Sequence, residues 1–125
     1  MERQIKFKAK RLDNGEWVKG DLVHSTSYVG ISYPSDEFSD VPIVHRVDPE
    51  TVCQFTGLKD ENGVEVYEND IVKVACGEER IYNVEYDDYK FNLYDEHTPS
   101  DVMPLYVAAD TCYIYIIGNK FDKKK

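Results

Sequence analysis

Carboxylates are the residues of this chain whose number and spacing could support chemistry. Asp and Glu together make 24 of the 125 residues, and Glu85, Asp87 and Asp88 form their densest group. Paired carboxylates can act as general acid and base or bind Mg2+ and Ca2+. The groups fall mostly at turns, where acidic residues are selected for local hydrogen bonding, and no D-x-[DN]-x-[DN]-G loop occurs. We therefore predict solvated surface carboxylates, no catalytic residues and a protein that is not an enzyme.

Histidine and cysteine, which build metal and nucleophile sites, are widely scattered. The chain has three of each, namely His24, His45, His97, Cys53, Cys76 and Cys112. No C-x-x-C or H-x-x-x-H spacing is present, which argues against zinc. A Cys-His nucleophile pair stays open, because such partners meet in space and not in the chain. We predict no metal, no cofactor and no disulfide, with the cysteines as buried thiols of a reducing cytoplasm.

Aromatic residues between positions 82 and 94 suggest an aromatic face on paired strands. They are Tyr82, Tyr86, Tyr89, Phe91 and Tyr94. Such a face could stack single-stranded bases or sugar rings. Pleated sheets favour aromatic residues in any case, and the net charge of −9 opposes a polyanion. A protein or an uncharged ring is the ligand that this face would favour.

The overall charge and hydropathy limit the partners of the chain. A net charge of −9 and a pI near 4.7 predict repulsion of DNA and RNA, whose binding depends on Lys and Arg. The basic start MERQIKFKAKR lacks the apolar core of a secretory signal. No run approaches the roughly 18 apolar residues of a membrane-spanning helix. We expect a cytoplasmic protein that binds neither nucleic acid nor membrane.

Alternation of apolar and polar residues with a period of two indicates strands. Ile5, Phe7 and Ala9 alternate with lysines, and Asn14-Gly15 predicts a turn into a second strand from Glu16 to about His24. We expect Trp17 to join Ile5 and Phe7 in the core. Truncation of this side chain to Ala should then cost about 3 to 5 kcal/mol of stability.

The rest of the chain also favours short strands over helix. Strands are predicted at 28–33, 43–47, 80–86, 89–94 and 112–119, and the acidic segment 34–42 is a candidate lobe boundary. The segment VMPLYVAA is either a broken strand or a short helical turn.

The stretch QFTGLKDENGVEVYENDIVKV, residues 54–74, has the composition of a set of turns between strands. Asp60, Asn62 and Gly63 suit a four-residue hairpin connection, and Asn69-Asp70 bends the chain into the next strand. We predict that Gly57, Gly63 and Asn69 lie at turns and that at least one has positive φ.

Sequence blocks along nearly the whole chain are typical of one family. The blocks are IKFKAK, NGEWVKGDLV, VDPETVCQFTGLKDENGVEVYENDIVKV and YIIGN. The specific positions of the third block are Gln54, Thr56, Gly57, Leu58, Asp60, Asn62, Gly63, Tyr67, Glu68, Asp70, Ile71 and Val72. In these the chain resembles the YopX family, small proteins encoded mostly by bacteriophages and prophages. At Asn69 the family usually has Gly, and Asn is the next-best residue at positive φ.

The resemblance implies a β-rich fold whose second half looks like a small SH3-type barrel. The family brings no catalytic motif, so no active-site residue is carried over. Together with the period of two, it predicts a mostly antiparallel β protein with little helix. We expect an N-terminal meander at 1–50, a C-terminal SH3-like barrel at 51–119 and a basic tail at 120–125.

The closing strand is apolar on both faces. Tyr113, Tyr115 and Ile117 fall on one face, and the opposite face carries Cys112, Ile114 and Ile116. Either the strand runs through the middle of the barrel with cover on both sides, which is the favoured reading, or another subunit covers one face. Tyr113, Tyr115 and Ile117 are therefore the candidate interaction surface.

The composition and the resemblance favour a non-enzymatic phage or prophage accessory protein. It would act by binding protein in the host cytoplasm and would self-associate. The alternative is a DNA mimic that occupies a host DNA-binding protein with its carboxylates. A mimic needs carboxylates spaced regularly along one face, whereas an ordinary surface mixes them with lysine.

Overall fold

The computed structural model describes residues 5–34, 41–87, 90–95 and 98–122. They divide into two compact units, Met1–Phe55 and Thr56–Lys125. The strands are antiparallel, and the described residues contain one α-helix and two short 3-10 turns. The prediction of a mostly antiparallel β protein with little helix is confirmed.

The first unit is a meander of four strands. They are β1 (Phe7–Lys10), β2 (Trp17–His24), β3 (Val29–Pro34) and β4 (Pro42–Arg46). Each pairs with the next, and after the 3-10 turn Pro49–Thr51 the start of β5 (Cys53–Lys59) pairs with β1. The predicted hairpin at Asn14-Gly15 is confirmed, and Asn14 Oδ1 accepts a hydrogen bond from the Glu16 backbone N–H at 2.9 Å. The acidic segment 35–40 lies outside the described residues.

The core of the first unit is built on one face of this meander. Ala9, Val18, Ile31 and Val47 are buried, and Phe7 packs against them. The prediction that Trp17 and Ile5 belong to this core is wrong, since Ile5 is exposed and Trp17 is half-buried. The reason is the register: Val18 pairs with Ala9, which places Trp17 opposite Lys10 on the other face. There the Lys8 and Lys10 ammonium groups lie 4.6 and 5.4 Å from the Trp17 ring centroid.

The second unit contains the rest of β5 and six further strands. The strands are β6 (Glu65–Tyr67), β7 (Asp70–Cys76), β8 (Glu78–Asp87), β9 (Lys90–Asp95), β10 (Thr98–Pro104) and β11 (Tyr113–Asn119). Five of them form one sheet in the order β10-β9-β8-β7-β11. The helix α1 (Leu105–Thr111) lies between β10 and β11 in the chain, and the 3-10 turn Lys120–Asp122 follows β11.

The expected SH3-like closed barrel is not what these strands form. Closure would require pairing between the two edges of the sheet, and in the described residues β10 and β11 are both edges. At Pro104 the chain leaves the ladder, because proline has no N–H to donate, and α1 begins. Leu105 and Ala108 of α1 are buried in the same cluster as Val72, Val84 and Ile114 of the sheet. A helix thus covers the core, and VMPLYVAA is the end of a strand followed by that helix.

Gly20 gives a test of the packing of the first unit. A Cβ at Gly20 would meet the backbone carbonyl oxygen of Ser32 on the neighbouring strand β3. We expect Gly20→Ala to lower the free energy of unfolding by about 1 to 3 kcal/mol, since the clash is with backbone. The measurement is urea unfolding followed by circular dichroism.

Gly118→Ala is the matched control, because a Cβ there meets nothing within 4 Å. We expect this variant to stay within about 0.5 kcal/mol of the wild type. Equal stabilities of the two variants would contradict the close approach of β2 and β3.

Candidate functional site

The motif of residues 56–70 forms a hydrogen-bonded framework inside the second unit, with Asp60 as its first anchor. The Asp60 side chain is buried, and its Oδ1 accepts hydrogen bonds from the backbone N–H groups of Asn62 and Val64, each at 2.9 Å. Its Oδ2 accepts a third from the Ile116 N–H at 3.0 Å. One carboxylate therefore shapes the β5–β6 turn and holds that turn against β11.

The neighbouring backbone strengthens this attachment to β11. The Glu61 N–H donates to the Ile114 carbonyl oxygen at 3.0 Å. Ile114 and Ile116 belong to an edge strand, whose outward backbone groups would otherwise be open to another strand. The turn at Asp60 and Glu61 thus covers part of that edge.

Asp70 is the second anchor and is also buried. Its Oδ2 accepts the Tyr67 backbone N–H at 2.7 Å, and its Oδ1 accepts the Asn119 side-chain amide at 2.9 Å. Asn119 Oδ1 in turn accepts the Phe121 N–H at 2.9 Å. Asp70 therefore joins the start of β7 to the end of β11, which are far apart in the sequence.

The remaining motif residues stabilise the same hairpin. Thr56 Oγ1 donates to the Val66 carbonyl oxygen at 2.8 Å and accepts the Leu58 N–H at 3.2 Å. Gly57, Gly63 and Asn69 have φ values of 91°, 80° and 71°, so the prediction of positive φ is confirmed. Gly57 lies within β5, however, and not at a turn. Asn is one of the few residue types other than Gly that adopt this conformation readily, because its short polar side chain can hydrogen-bond locally.

Sequence reasoning identified Asp60 and Asp70 as turn formers but missed their long-range partners. Ile116 is 56 residues from Asp60, and Asn119 is 49 residues from Asp70. The only signal in the sequence was the block YIIGN, whose Asn is the residue that binds Asp70. Both carboxylates accept hydrogen bonds from the fold itself, so their chemistry in this arrangement is structural.

The predicted interaction surface lies on an edge strand and not in the middle of the sheet. Tyr113 and Ile117 are 62% and 52% exposed, and Tyr115 is half-buried on the same face. Ile114 points to the core, and Ile116 packs against it. The favoured expectation that β11 has cover on both faces is therefore wrong, because the helix and the core occupy one side only.

The prediction of no disulfide is also wrong. Cys76 at the end of β7 and Cys112 just before β11 form one, with their Cα atoms 4.9 Å apart. The register explains this disulfide, since Tyr113 pairs with Ala75. Cys112 directly precedes Tyr113 and Cys76 directly follows Ala75, so the antiparallel pairing brings the two cysteines side by side. Widely spaced cysteines in the chain become neighbours through strand pairing. Cys53 is buried, and its thiol donates to the Thr51 carbonyl oxygen at 3.2 Å.

The other candidate clusters do not assemble into one site. Tyr82 is buried in the core, whereas Tyr86 is exposed and packs edge-on against Phe91 with centroids 5.0 Å apart. The Tyr94 hydroxyl donates to Asp87 at 2.8 Å, and this bond raises its pKa. Tyr89, Asp88 and His97 lie outside the described residues.

The described residues contain neither a metal-binding cluster nor a membrane-spanning helix. Among them, no group of three or more His, Cys, Asp or Glu side chains is arranged to hold a metal ion. None of the helices that they form has the length and apolar character needed to cross a membrane. His45 instead shares a hydrogen bond of 2.9 Å with the Tyr33 hydroxyl.

A family model described as YopX protein matches residues 6–124, which is nearly the whole chain. No curated protein matches it.

The Asp60 anchor predicts a large loss of stability on truncation. We expect Asp60→Ala to lower the free energy of unfolding by about 2 to 4 kcal/mol, because three backbone N–H groups lose their acceptor. Glu61→Ala is the control, since Glu61 attaches to β11 through its backbone. A loss of similar size in both variants, measured by urea unfolding, would show that the carboxylate is not the anchor.

Because Tyr67 is buried, we expect the free energy of unfolding to fall in alkaline solution. Burial, followed by the hydrogen bond of 3.0 Å that its hydroxyl donates to Glu65, raises the pKa of Tyr67 above its usual value of 10.0. The unfolded chain then releases this proton at a lower pH than the folded protein. The stabilisation is complete below about pH 10 and falls above it by up to about 1.4 kcal/mol per pH unit.

Tyr67→Phe should flatten this dependence between about pH 10 and 11, as measured by urea unfolding at each pH. Tyr113→Phe, which alters an exposed tyrosine, should leave it unchanged. The same alkaline slope in wild type and Tyr67→Phe would refute the assignment to Tyr67.

Proposed function

Because the chain belongs to the YopX protein family, we propose that it is a non-enzymatic accessory protein of a bacteriophage or prophage, which acts by binding protein in the host cytoplasm. The hydrogen bonding of Asp60 and Asp70 supports a non-enzymatic role, since these buried motif carboxylates serve the fold. The observation that carries the proposal is the apolar outward side of β7, β8 and β11.

This side of the sheet, called the outer face here, consists of Tyr113, Tyr115, Lys73 and Ile81, together with Ile117, which lies at the irregularity in the pairing of β11 with β7 between Ile116 and Gly118. The register aligns Tyr115, Lys73 and Ile81 across the three strands. Tyr113, Ile81 and Ile117 are each more than half exposed. Exposed apolar and aromatic side chains that lie together are typical of protein interfaces.

Lys73 is the cationic member of the outer face. Its ammonium group lies 5.5 Å from the Tyr115 ring centroid and 3.5 Å from Glu79 Oε2. The lysine stem therefore adds apolar area while its charge is balanced by a neighbour. A partner that buries this face has no isolated charge at its centre to desolvate.

A second copy of the chain is the partner that the proposal favours. Addition of a strand to the edge of β11 is hindered, because the turn at Asp60 and Glu61 already binds Ile114 and Ile116. Self-association would therefore join two outer faces and not two strand edges. The area available around three strongly exposed apolar side chains suits a weak or moderate dimer.

The DNA-mimic alternative receives less support from the described surface. Some carboxylates of β8 are paired with cations, and Glu78 lies 3.4 Å from the Arg80 guanidinium. Glu79 is likewise paired with Lys73. Mixed charge of this kind would interrupt the regular negative field that a mimic requires.

Sedimentation equilibrium tests the self-association. We expect a monomer–dimer equilibrium at tens of micromolar that the double variant Ile81→Ser with Ile117→Ser weakens at least about tenfold, since two apolar contacts are lost. Tyr106→Ser is the control, because Tyr106 is 63% exposed on α1, away from the outer face. A strict monomer at this concentration would reject the second copy as partner.

Affinity capture from a bacterial host lysate tests binding to another protein. The proposal requires a captured protein whose yield falls with the Ile81 and Ile117 variant and is kept with Tyr106→Ser. A monomer that captures no protein in this variant-dependent way would reject the proposed function.

A further inference from the structure

The Cys76–Cys112 disulfide is chemically asymmetric. Cys76 is exposed at the end of β7, whereas Cys112 is 8% exposed and belongs to the core cluster under α1. The rate of thiol–disulfide exchange depends on which sulfur an incoming thiolate can reach. Cys76 is the more exposed residue of the pair, so attack on its sulfur is favoured.

An open cavity lies directly beside Cys76. Its volume is about 250 Å3, and it is lined by Val74, Cys76, Glu78, Arg80, Tyr82 and Met103. Val74, Tyr82 and Met103 form its apolar part, and Arg80 and Glu78 form an ion pair at 3.4 Å, with side chains 45% and 77% exposed. The cavity is smaller than the usual pocket for a drug-sized ligand, which suits a small thiol, and it has a guanidinium group and Cys76 in the same lining.

We propose that the Cys76–Cys112 disulfide is a reversible redox modification site, at which a small thiol carrying a carboxylate attacks the Cys76 sulfur from this cavity. Arg80 binds the carboxylate of that thiol in exchange for its contact with Glu78. The site is distinct from the outer face, because Cys76 follows the inward-facing Val72 and Val74 on β7. It does not depend on the proposed function.

Reduction of the disulfide consumes two small thiols. The first thiolate forms a bond to Cys76 Sγ, the S–S bond breaks, and its electron pair leaves on the Cys112 sulfur, which takes a proton from water. A second thiolate then attacks the small-molecule sulfur of the mixed disulfide and releases Cys76. Two small thiols are oxidised to one disulfide, and the protein disulfide is reduced to two thiols.

The surroundings of Cys112 suit it to be the leaving sulfur. Thr111 Oγ1 lies 3.6 Å from Cys112 Sγ, and the Cys112 backbone N–H donates to the Ala108 carbonyl oxygen at 2.8 Å. The Thr111 hydroxyl donates its hydrogen to the Val107 carbonyl oxygen at 2.8 Å in the disulfide-bonded protein, and rotation away from that acceptor lets it donate to the sulfur as negative charge develops. The helix end stays attached by its backbone while the covalent tie to β7 is lost.

Reduction should loosen the second unit without unfolding it. The disulfide closes a loop of 36 residues between β7 and the start of β11. Loss of a cross-link that closes a loop of this length lowers Tm by on the order of 10 °C. The hydrogen bonds of Asp60 and Asp70 to β11 remain in place.

Thiol mapping with reduced glutathione as the probe tests the proposal. The native protein is incubated with millimolar glutathione, quenched with acid, alkylated and analysed by peptide mass spectrometry. We expect Cys76 and Cys112 to become reduced under conditions that leave the wild type folded. Cys53 should stay unalkylated until denaturant is added, because it is buried. In a parallel incubation with oxidised glutathione, the free Cys76 thiolate of Cys112→Ser should attack that disulfide and accumulate the glutathione adduct with release of one glutathione thiol, whereas Cys76→Ser should acquire little adduct on Cys112.

Charge recognition is tested by rates on the disulfide-bonded protein. Arg80→Gln should slow reduction by glutathione about tenfold and leave reduction by neutral 2-mercaptoethanol unchanged. Lys73→Gln, on the outer face, should alter neither rate. The proposal is overturned if Cys53 reacts as fast as Cys76, if adducts form at Cys112, if both thiols respond equally to Arg80→Gln, or if the purified protein contains no disulfide.

Discussion

The second unit depends on the buried Asp60 carboxylate, which binds its own turn and the edge of a strand at the other end of the chain. Without that carboxylate, two N–H groups of the turn and one of β11 would lose their hydrogen-bond acceptor. The Asp70 carboxylate likewise joins the start of β7 to the end of β11, because it accepts a hydrogen bond from the Asn119 side-chain amide. The two carboxylates attach the β5–β6 hairpin and the start of β7 to the closing strand β11, which strand pairing alone would leave as a simple edge.

Much of this fold follows from local sequence rules. Alternation indicated the strands, and Asn14-Gly15, Gly63 and Asn69 marked bends that the structure contains. Local rules failed where pairing decides the outcome. Trp17 was placed in the core by its size, but its register with Lys10 puts it on the opposite face. Cys76 and Cys112 carry no motif, and only the pairing of β7 with β11 makes them neighbours. The helix α1 begins directly after Pro104. The sequence of this segment was compatible with either a broken strand or a short helical turn.

The candidate sites were also predictable to different degrees, because local sequence rules identify residue types but not strand pairing. The motif of residues 56–70 was recognised as structural, because its residue types are those of turns, but its carboxylates act over distances that turn chemistry does not encode. The candidate surface on β11 was identified from its apolar alternation. Its neighbours Lys73 and Ile81 emerged only with the sheet register. Sequence therefore identified the residues, and strand pairing determined which of them share a face.

The position of Trp17 also gives the chain a built-in spectroscopic label. It is the only tryptophan, it lies in the first unit, and two lysine ammonium groups stand close to its ring. Emission on selective excitation of the indole therefore reports the first unit alone. The tyrosines from Tyr67 to Tyr115 dominate the near-ultraviolet absorbance changes of the second unit. The two halves of the molecule can thus be followed separately in a single denaturation experiment, with no dye attached.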